Sequence, residues 1–467
     1  MSQTVVRHRW QDIPAENVSP SVSRRYITAD RVTVAVDWAL ASYVPRGSTI
    51  VVGLSGGRDS VALFDATLTR AQGYALDVVA VHVHHALSTH ADDWARFCAA
   101  LCDARGVRLL ERRVEVPRLP RTSLEATARR ARYAALADAA SSIGASALLL
   151  AHHQDDQAET VLLQLLRGAG PQGLAAMPLA RVDEGGRTWL RPLLDVPRAA
   201  IDAYIRERGL TWIDDDSNRD SRFARNALRA RVVPALASVT AGYPATVARA
   251  ALHQAEAALL ADDMALFDAR GAFDGATLSR SALAGLPAYR ARNLLRWFLR
   301  ERGLPMPSAV RLAAMHSQLS NARVDARVCL VHADAEIGVH RDRVVVHHPP
   351  PPPFERAWNG EPSLVLPHGT LHFRHCTEGG DKAALLAHAN VVIRSRRGGE
   401  RIQLAPDRPR QALKSLLQRA DLPVWTRKGL PLVFCGEALV YVPGIGVDRR
   451  FAVPPGEVGY EVIWNES

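Results

Sequence analysis

Lysine is nearly absent from this 467-residue chain, standing only at Lys382, Lys414 and Lys428, so arginine supplies the rest of its 58 basic residues. A Walker A loop needs a lysine to reach the outer phosphates, and covalent adenylates and Schiff bases need one as nucleophile. The first 381 residues exclude all three. Cysteine is scarce as well. Five cysteines, scattered and without a Cys-x-x-Cys pair, exclude a disulfide framework, a zinc ribbon and a dithiol redox site. Cys98 and Cys102 are one helical turn apart and read as small buried side chains. No segment approaches the ~18 consecutive apolar residues of a membrane span, and Met1 to Arg9 lacks the apolar core of a signal peptide. The expectation is a cytoplasmic protein with no membrane partner.

What is present is ordinary for a packed protein: 48% hydrophobic and 23% charged residues. The length allows two to four domains at ~150 residues each. The net charge of +10 suits an anionic partner, although genomic codon usage is the simpler source of the arginine preference. From Gly47 to Arg167 short β-branched or apolar runs alternate with helical stretches. The runs are Thr49–Leu54, Leu76–Val83, Val107–Val114 and Ala145–Ala151; the helical stretches are Asp59–Ala71, His90–Arg105, Ser123–Ser142 and about Gln154–Leu166. This predicts an α/β fold with a parallel twisted sheet and helices on both faces, whose ligands bind beyond the strand carboxyl ends. A mainly helical domain over 241–348 follows from the periodicity of Thr246–Arg270 and Tyr289–Arg302. Five consecutive prolines in His347–Pro353 predict a stiff connector within 349–390, and 391–467 reads as a small basic α+β domain. Residues 1–28 form an N-terminal extension before a catalytic domain at 29–240.

Two motifs carry chemistry, both at strand ends. Ile50–Leu54 feeds into Ser55-Gly56-Gly57-Arg58-Asp59-Ser60 and then an apolar helix. Paired glycines let bare backbone approach an anion, the serines add hydroxyls, and the helix start adds free amides and its positive dipole end. Asp59 would repel phosphate unless it holds a magnesium ion that bridges to it. The alternative is a Gly-rich turn with a capping aspartate. Ser55–Ser60 resembles the Ser-Gly-Gly-x-Asp-Ser signature of the PP-loop (N-type) ATP pyrophosphatases, adenine nucleotide alpha hydrolase-like folds that split ATP into AMP and pyrophosphate.

The second motif is His152-His153-Gln154-Asp155-Asp156-Gln157-Ala158-Glu159. Helical spacing would put His152, Asp156 and Glu159 on one face and turn Leu162, Leu165 and Leu166 toward the core. Such a patch can hold magnesium, fix an ammonium group or use His152 as a general base, while Asp155 can instead cap the helix. Continuing through Arg167-Gly168-Ala169-Gly170-Pro171, this stretch is similar to the tRNA(Ile)-lysidine synthases. So are His82-Val83-His84-His85-Ala86-Leu87, Glu125, Ala128-Arg129, Arg132-Tyr133, Arg191-Pro192-Leu193-Leu194, Trp212-Ile213-Asp214-Asp215-Asp216-Ser217-Asn218, Arg225-Asn226 and Arg229, and near the end Arg397-Gly398-Gly399-Glu400-Arg401 with Lys414, Trp425 and Arg427. His84, Ala86, Ser88 and Ala169 depart from the family's usual residues.

The resemblance implies a ligase that uses ATP and Mg2+ to adenylate the wobble cytidine of the CAU anticodon of tRNA(Ile), after which free L-lysine displaces AMP. The product, lysidine, switches decoding from AUG to AUA. Ser55, Gly56, Gly57, Arg58, Asp59 and Ser60 would then hold ATP, with Asp59 on magnesium, and Asp59, His152, Asp156 and Glu159 would be catalytic. Arg129, Arg132, Arg225 and Asn226 would contact substrate, against the plainer reading of surface arginines and a helix start. Residues 391–428 carry ten basic against three acidic residues, a cationic patch for RNA phosphates in which Arg396, Arg397 and Arg401 would contact tRNA. Oligomeric state is not legible, and a homodimer stays open. Two other readings compete: another PP-loop tRNA enzyme that transfers sulfur through Cys98 or Cys102, and a non-enzymatic RNA-binding protein with a vestigial nucleotide site.

Overall fold

The structure, a computed structural model, describes residues 30–85, 90–117, 124–214, 224–321, 328–376, 380–384, 390–454 and 457–466. The expected N-terminal extension lies outside them, as do Ala86, Leu87, Ser88 and Asp215-Asp216-Ser217-Asn218. The chain divides into two compact units, Met1–Ala261 and Asp262–Ser467.

The first unit runs α1 (Asp30–Tyr43), β1 (Thr49–Gly53), α2 (Arg58–Ala71), β2 (Asp77–His84), α3 (Ala91–Asp103), β3 (Arg108–Arg113), α4 (Leu124–Ser142), β4 (Ala147–Leu149), α5 (Gln154–Leu166), α6 (Pro171–Leu174), β5 (Ala180–Val182), β6 (Thr188–Leu190) and α7 (Arg198–Glu207). The sheet order is β3-β2-β1-β4-β6-β5, parallel except for β5. Ile50, Val51 and Val52 are all fully buried, as a central strand covered on both faces requires. On one face Val36, Leu40, Leu63, Phe64 and Ile201 of α1, α2 and α7 pack with Cys98 and Cys102 of α3. On the other, Leu136, Ala139 and Ala140 of α4 pack against Val51, Val81, Leu148 and Trp189. The β5–β6 hairpin was not evident from the pattern. Asp183 ties its turn by accepting from the amides of Gly185 and Arg187, and Gly186 takes the left-handed φ of +76° that the turn needs.

Because β2 lies on one side of β1 and β4 on the other, β1 sits where the winding reverses. The loops after β1 and β4 therefore meet over one crevice. One expectation fails here. Leu165 and Leu166 do not face the core but are 59% and 76% exposed. Apolar burial along α5 is confined to Ala158 and Val161 in its first two turns, and the last turn gives way at once to Gly168.

After α8 (Ala224–Ala227), a π-helical turn Leu228–Val232, α9 (Val233–Val239) and α10 (Tyr243–Ala269), the second unit contains β7 (Leu278–Ser279), α11 (Arg280–Gly285), α12 (Ala288–Glu301), α13 (Ala309–Asn321), β8 (Cys329–His332), β9 (Ala335–His340) and β10 (Arg343–His347). The helices expected over 241–348 are joined by a four-stranded antiparallel sheet, β7-β10-β9-β8, that periodicity did not reveal. Its tight turns place Ala333 and Arg341 at φ +54° and +51°, where glycine or asparagine would have signalled a hairpin. No helix or strand forms from 348 to 354, across the prolines. The segment expected as connector nevertheless supplies Glu355–Trp358, Ser363–Leu366, Gly369–Cys376 and Gly380–Ala384 to two five-stranded sheets shared with the strands after 390. Trp358, fully buried, packs with Phe373, Ile393 and Val433. Two short helices follow, α14 (Leu413–Arg419) and α15 (Val424–Gly429).

Candidate active site

The loop after β1 is built from its own side chains. Ser60 Oγ donates to Gly57 O at 2.8 Å and accepts from Ser55 N at 3.2 Å and Ser55 Oγ at 3.1 Å, closing the turn on itself. Gly56 has φ +85°, and a Cβ there would stand 3.3 Å from Ile213 Cδ1 and 3.4 Å from Cys98 Sγ. The left-handed backbone calls for glycine, and a side chain would also crowd Ile213. Gly57 is the N-cap of α2, and no side chain caps that end, so its first amides stay available to an anion.

Asp59, on the first turn of α2, reaches the loop after β4. His153 Nε2 stands 3.6 Å from Asp59 Oδ2 and 3.6 Å from Asp156 Oδ2, and Arg58 Nε is 3.3 Å from Asp59 Oδ1. Burial works against ionisation of Asp59, but the hydrogen bond and charge of His153, aided by Arg58, outweigh it and hold the carboxyl down at about 2. Burial likewise disfavours the His153 imidazolium, yet Asp59, Asp156 and Asp155 together raise its pKa above the ordinary value. Among the described residues no group of three or more His, Cys, Asp or Glu side chains forms a metal centre. One partly exposed carboxylate beside two serine hydroxyls fits a magnesium ion carried in by phosphates, which needs only one or two protein ligands.

His152 does not join this face. Helix α5 begins at Gln154 with His153 as N-cap, so the i to i+4 spacing from His152 to Asp156 never becomes helical. His153 Nδ1 accepts from Asp155 N while Asp156 Oδ2 accepts from His153 N, a reciprocal cap. Asp155 is therefore not the cap. Burial drives the His152 pKa down to about 3, with nearby Arg191, Arg129 and Arg132 reinforcing it against Asp156, so its ring is neutral and a poor general base.

Arg225 and Arg229 close the other side. Arg225 Nε donates to Glu159 Oε2 at 2.7 Å and Arg229 Nε to Glu159 Oε1 at 2.5 Å, while Arg229 Nη2 reaches Asp156 Oδ1 at 3.2 Å. Arg225 is thus no surface residue, and Asn226 is half-buried beside it in α8. Arg129 and Arg132 are also half-buried rather than solvated, with Arg129 Nη2 donating to Tyr133 Oη at 3.0 Å. Sequence reasoning missed the central place of His153 and underused Arg229, whose spacing of four from Arg225 on a helical stretch was the available signal.

In the second unit, Glu400 organises the Arg397-Gly398-Gly399 turn. Its carboxylate accepts from Arg397 N at 2.6 Å and Gly398 N at 2.7 Å and lies 3.3 Å from Arg396 Nε. Arg396 is therefore part of the loop's own structure. Arg397 is mostly exposed and pairs with Glu355, and Arg401 and Arg410 each donate to the other's carbonyl.

Residues 32–236 match the family model of a PP-loop domain, 278–345 that of a TilS substrate binding domain, and 391–464 that of a TilS substrate C-terminal domain. Over 435 residues the chain is 41% identical to a tRNA(Ile)-lysidine synthase of Nitrosomonas europaea, covering 92% of this chain and 94% of that one. It is also 41% identical over 455 residues to one of Ralstonia nicotianae, covering 93% and 96%.

Proposed function

Since the chain belongs to the tRNA(Ile)-lysidine synthase family, and is thereby an ATP-using PP-loop ligase acting on tRNA, we propose the following division of labour in its site. ATP lies with its outer phosphates against the Ser55–Ser60 amides and hydroxyls, and Asp59 holds the magnesium ion that neutralises them. A magnesium ion bound there would offset the charge that develops as pyrophosphate leaves. The base oxygen of the wobble cytidine attacks the α-phosphorus and the bond to pyrophosphate breaks. The side-chain amine of free L-lysine then attacks the ring carbon bearing that oxygen, the bond to AMP breaks, and the amine loses its extra proton. Turning a poor leaving group into AMP is what the ATP achieves.

Asp156 and Glu159 receive the ammonium group of lysine, and Arg225 and Arg229 fix their orientation. The observation that carries this reading is spatial: one continuous chain of contacts runs from Asp59 through His153 and Asp156 to Arg229, and through Arg229 to Glu159. Sulfur transfer finds no support, because burial raises Cys98 to about 12 and Cys102 to about 11, leaving no thiolate to carry sulfur. Incubating the protein with ATP, magnesium, labelled lysine and bulk bacterial tRNA is expected to place the label on a cytidine in nuclease digests. Label-free digests with intact tRNA would sink the reading. Among the described residues no helix is long and apolar enough to cross a membrane, which suits a cytoplasmic enzyme; a homodimer is compatible with it.

The basic segment serves tRNA docking through phosphates. Changing Arg397 and Arg401 to glutamine, with Arg396 kept because it braces the loop, is expected to weaken tRNA binding and lower the slope of log K against log salt by about 1 to 2. A salt titration with an unchanged slope would count against that role.

A further inference from the structure

Val83, Leu150 and Trp189 pack under α4, at the carboxyl ends of β2, β4 and β6. Side chains alternate along extended backbone, so His85, His152 and Arg191, each two residues further on, rise over the same face. They meet the first half of α4, which brings Arg129, Arg132 and Tyr133. Tyr133 stacks on Trp189 at 5.2 Å, and the Arg129 guanidinium lies 5.0 Å over its ring.

This cluster holds cations without matching carboxylates. Arg191 is 5% exposed. Its Nη1 donates to Pro178 O at 2.8 Å, but its Nε is buried without an acceptor among the described residues, and no described carboxylate pairs with it. The buried Nδ1 atoms of His85 and His152 likewise have no partner there. The charged groups that act most strongly on Arg132 among the described residues are Arg129, Arg225 and Asp156, two cations against one acid. Burial lowers the pKa of His85 to about 4 and that of His152 to about 3, so neither ring adds positive charge near neutral pH. Burying a guanidinium without a counter-ion is costly, and such a group is stabilised when an anion arrives.

We infer that Arg191, together with Arg132 and Arg129, binds an oxyanion of the reacting substrates, with the rings of His85 and His152 as neutral hydrogen-bonding partners. The cluster lies at the same carboxyl edge of the sheet as Ser55 of the phosphate loop, which follows β1 between β2 and β4. The inference rests on the ligase reading and extends it. An oxyanion there has two sources, the α-carboxylate of free lysine or a phosphate of the nucleotide, and one set of measurements separates them.

The full-length Arg191→Gln protein, with its fold checked by circular dichroism and thermal melting, is assayed for tRNA-dependent pyrophosphate release and for lysine incorporation. The wild type is assayed in parallel with L-lysinamide, which lacks the carboxylate. A rise of tenfold or more in KM for lysine with pyrophosphate release intact, and an equally poor L-lysinamide reaction in the wild type, would identify the carboxylate. A tenfold rise in KM for ATP, with L-lysinamide accepted as readily as lysine, would identify the phosphate. Arg132→Gln, a half-buried position on α4, replaces the first variant if that one does not fold. Unchanged KM values for both lysine and ATP in a folded variant overturn the inference while leaving the ligase reading intact. A wild type that incorporates no lysine overturns both.

Discussion

Replacing Asp59 by asparagine is expected to cut tRNA-dependent pyrophosphate release by roughly 10²- to 10³-fold, the scale on which removal of one preorganised electrostatic group acts, while leaving tRNA affinity nearly unchanged. Asparagine keeps the shape and removes the charge. With its pKa held at about 2 against an ordinary 3.8, Asp59 is ionised throughout the working range. Its stabilising contribution is present above the ordinary value and is lost only as pH falls through about 2, so no loss of function near neutrality can be assigned to its own titration. His153 runs the other way. Its pKa is raised from 6.5, so the stability it adds is complete below that value and fades as pH rises through the folded one. Because Asp59 is the first of the groups that raise it, Asp59→Asn should move the His153 titration downward, a shift readable by NMR of the ring protons. Full turnover in the variant, or an unmoved His153 titration, would contradict the geometry.

The second large effect is expected from Glu159→Gln. Glu159 is buried and receives both Arg225 and Arg229. Breaking a buried ion pair by removing one partner costs about 3–5 kcal/mol. The two arginines retain part of their exposure and keep Asp156 within reach, which favours the lower end, about 3 kcal/mol. For a unit of this size that corresponds to a fall in Tm of roughly 6–12 °C. Lysine incorporation should fail more severely than pyrophosphate release, because the loss falls on the amine side of the site rather than on the phosphate loop. A double-mutant cycle with Arg229→Met should show coupling of about 1 kcal/mol or more between the two positions. Additive effects, with Tm unmoved in the single variant, would remove Glu159 from its assigned place.

Much of this was readable before any coordinates. Gln154–Leu166 and the boundaries of the other α/β elements follow from period, β-branching and glycine, and the Ser55–Ser60 loop announces itself through residues that have no other common purpose together. What escaped depends on where a helix begins. Helix α5 begins at Gln154 as expected, so His152 stands in the loop before it, outside helical spacing, and His153 rather than His152 meets Asp59; the cap is made by His153, outside the usual serine, threonine, aspartate and asparagine set. Leu165 and Leu166 obey helical spacing yet lie in the open, because spacing names a face and cannot say whether anything covers it. Of the strands between Glu355 and Ala384, which follow the proline run, all but Gly369–Cys376 have only four or five residues, too few to show a clear period of two. The gathering of Arg191, His85 and His152 needed the sheet order itself, since more than a hundred residues separate the first of these from the last.

All of the fixed cations around the crevice, Arg58, Arg129, Arg132, Arg191, Arg225 and Arg229, are guanidinium groups, and the first unit carries no primary amine on any side chain. Guanidinium stays protonated and does not act as a nucleophile at neutral pH. An adenylated cytidine formed in this cleft therefore meets no side-chain amine of the first unit that could displace AMP in place of the incoming lysine. Amine-directed labelling reagents should accordingly leave the side chains of this half of the molecule untouched.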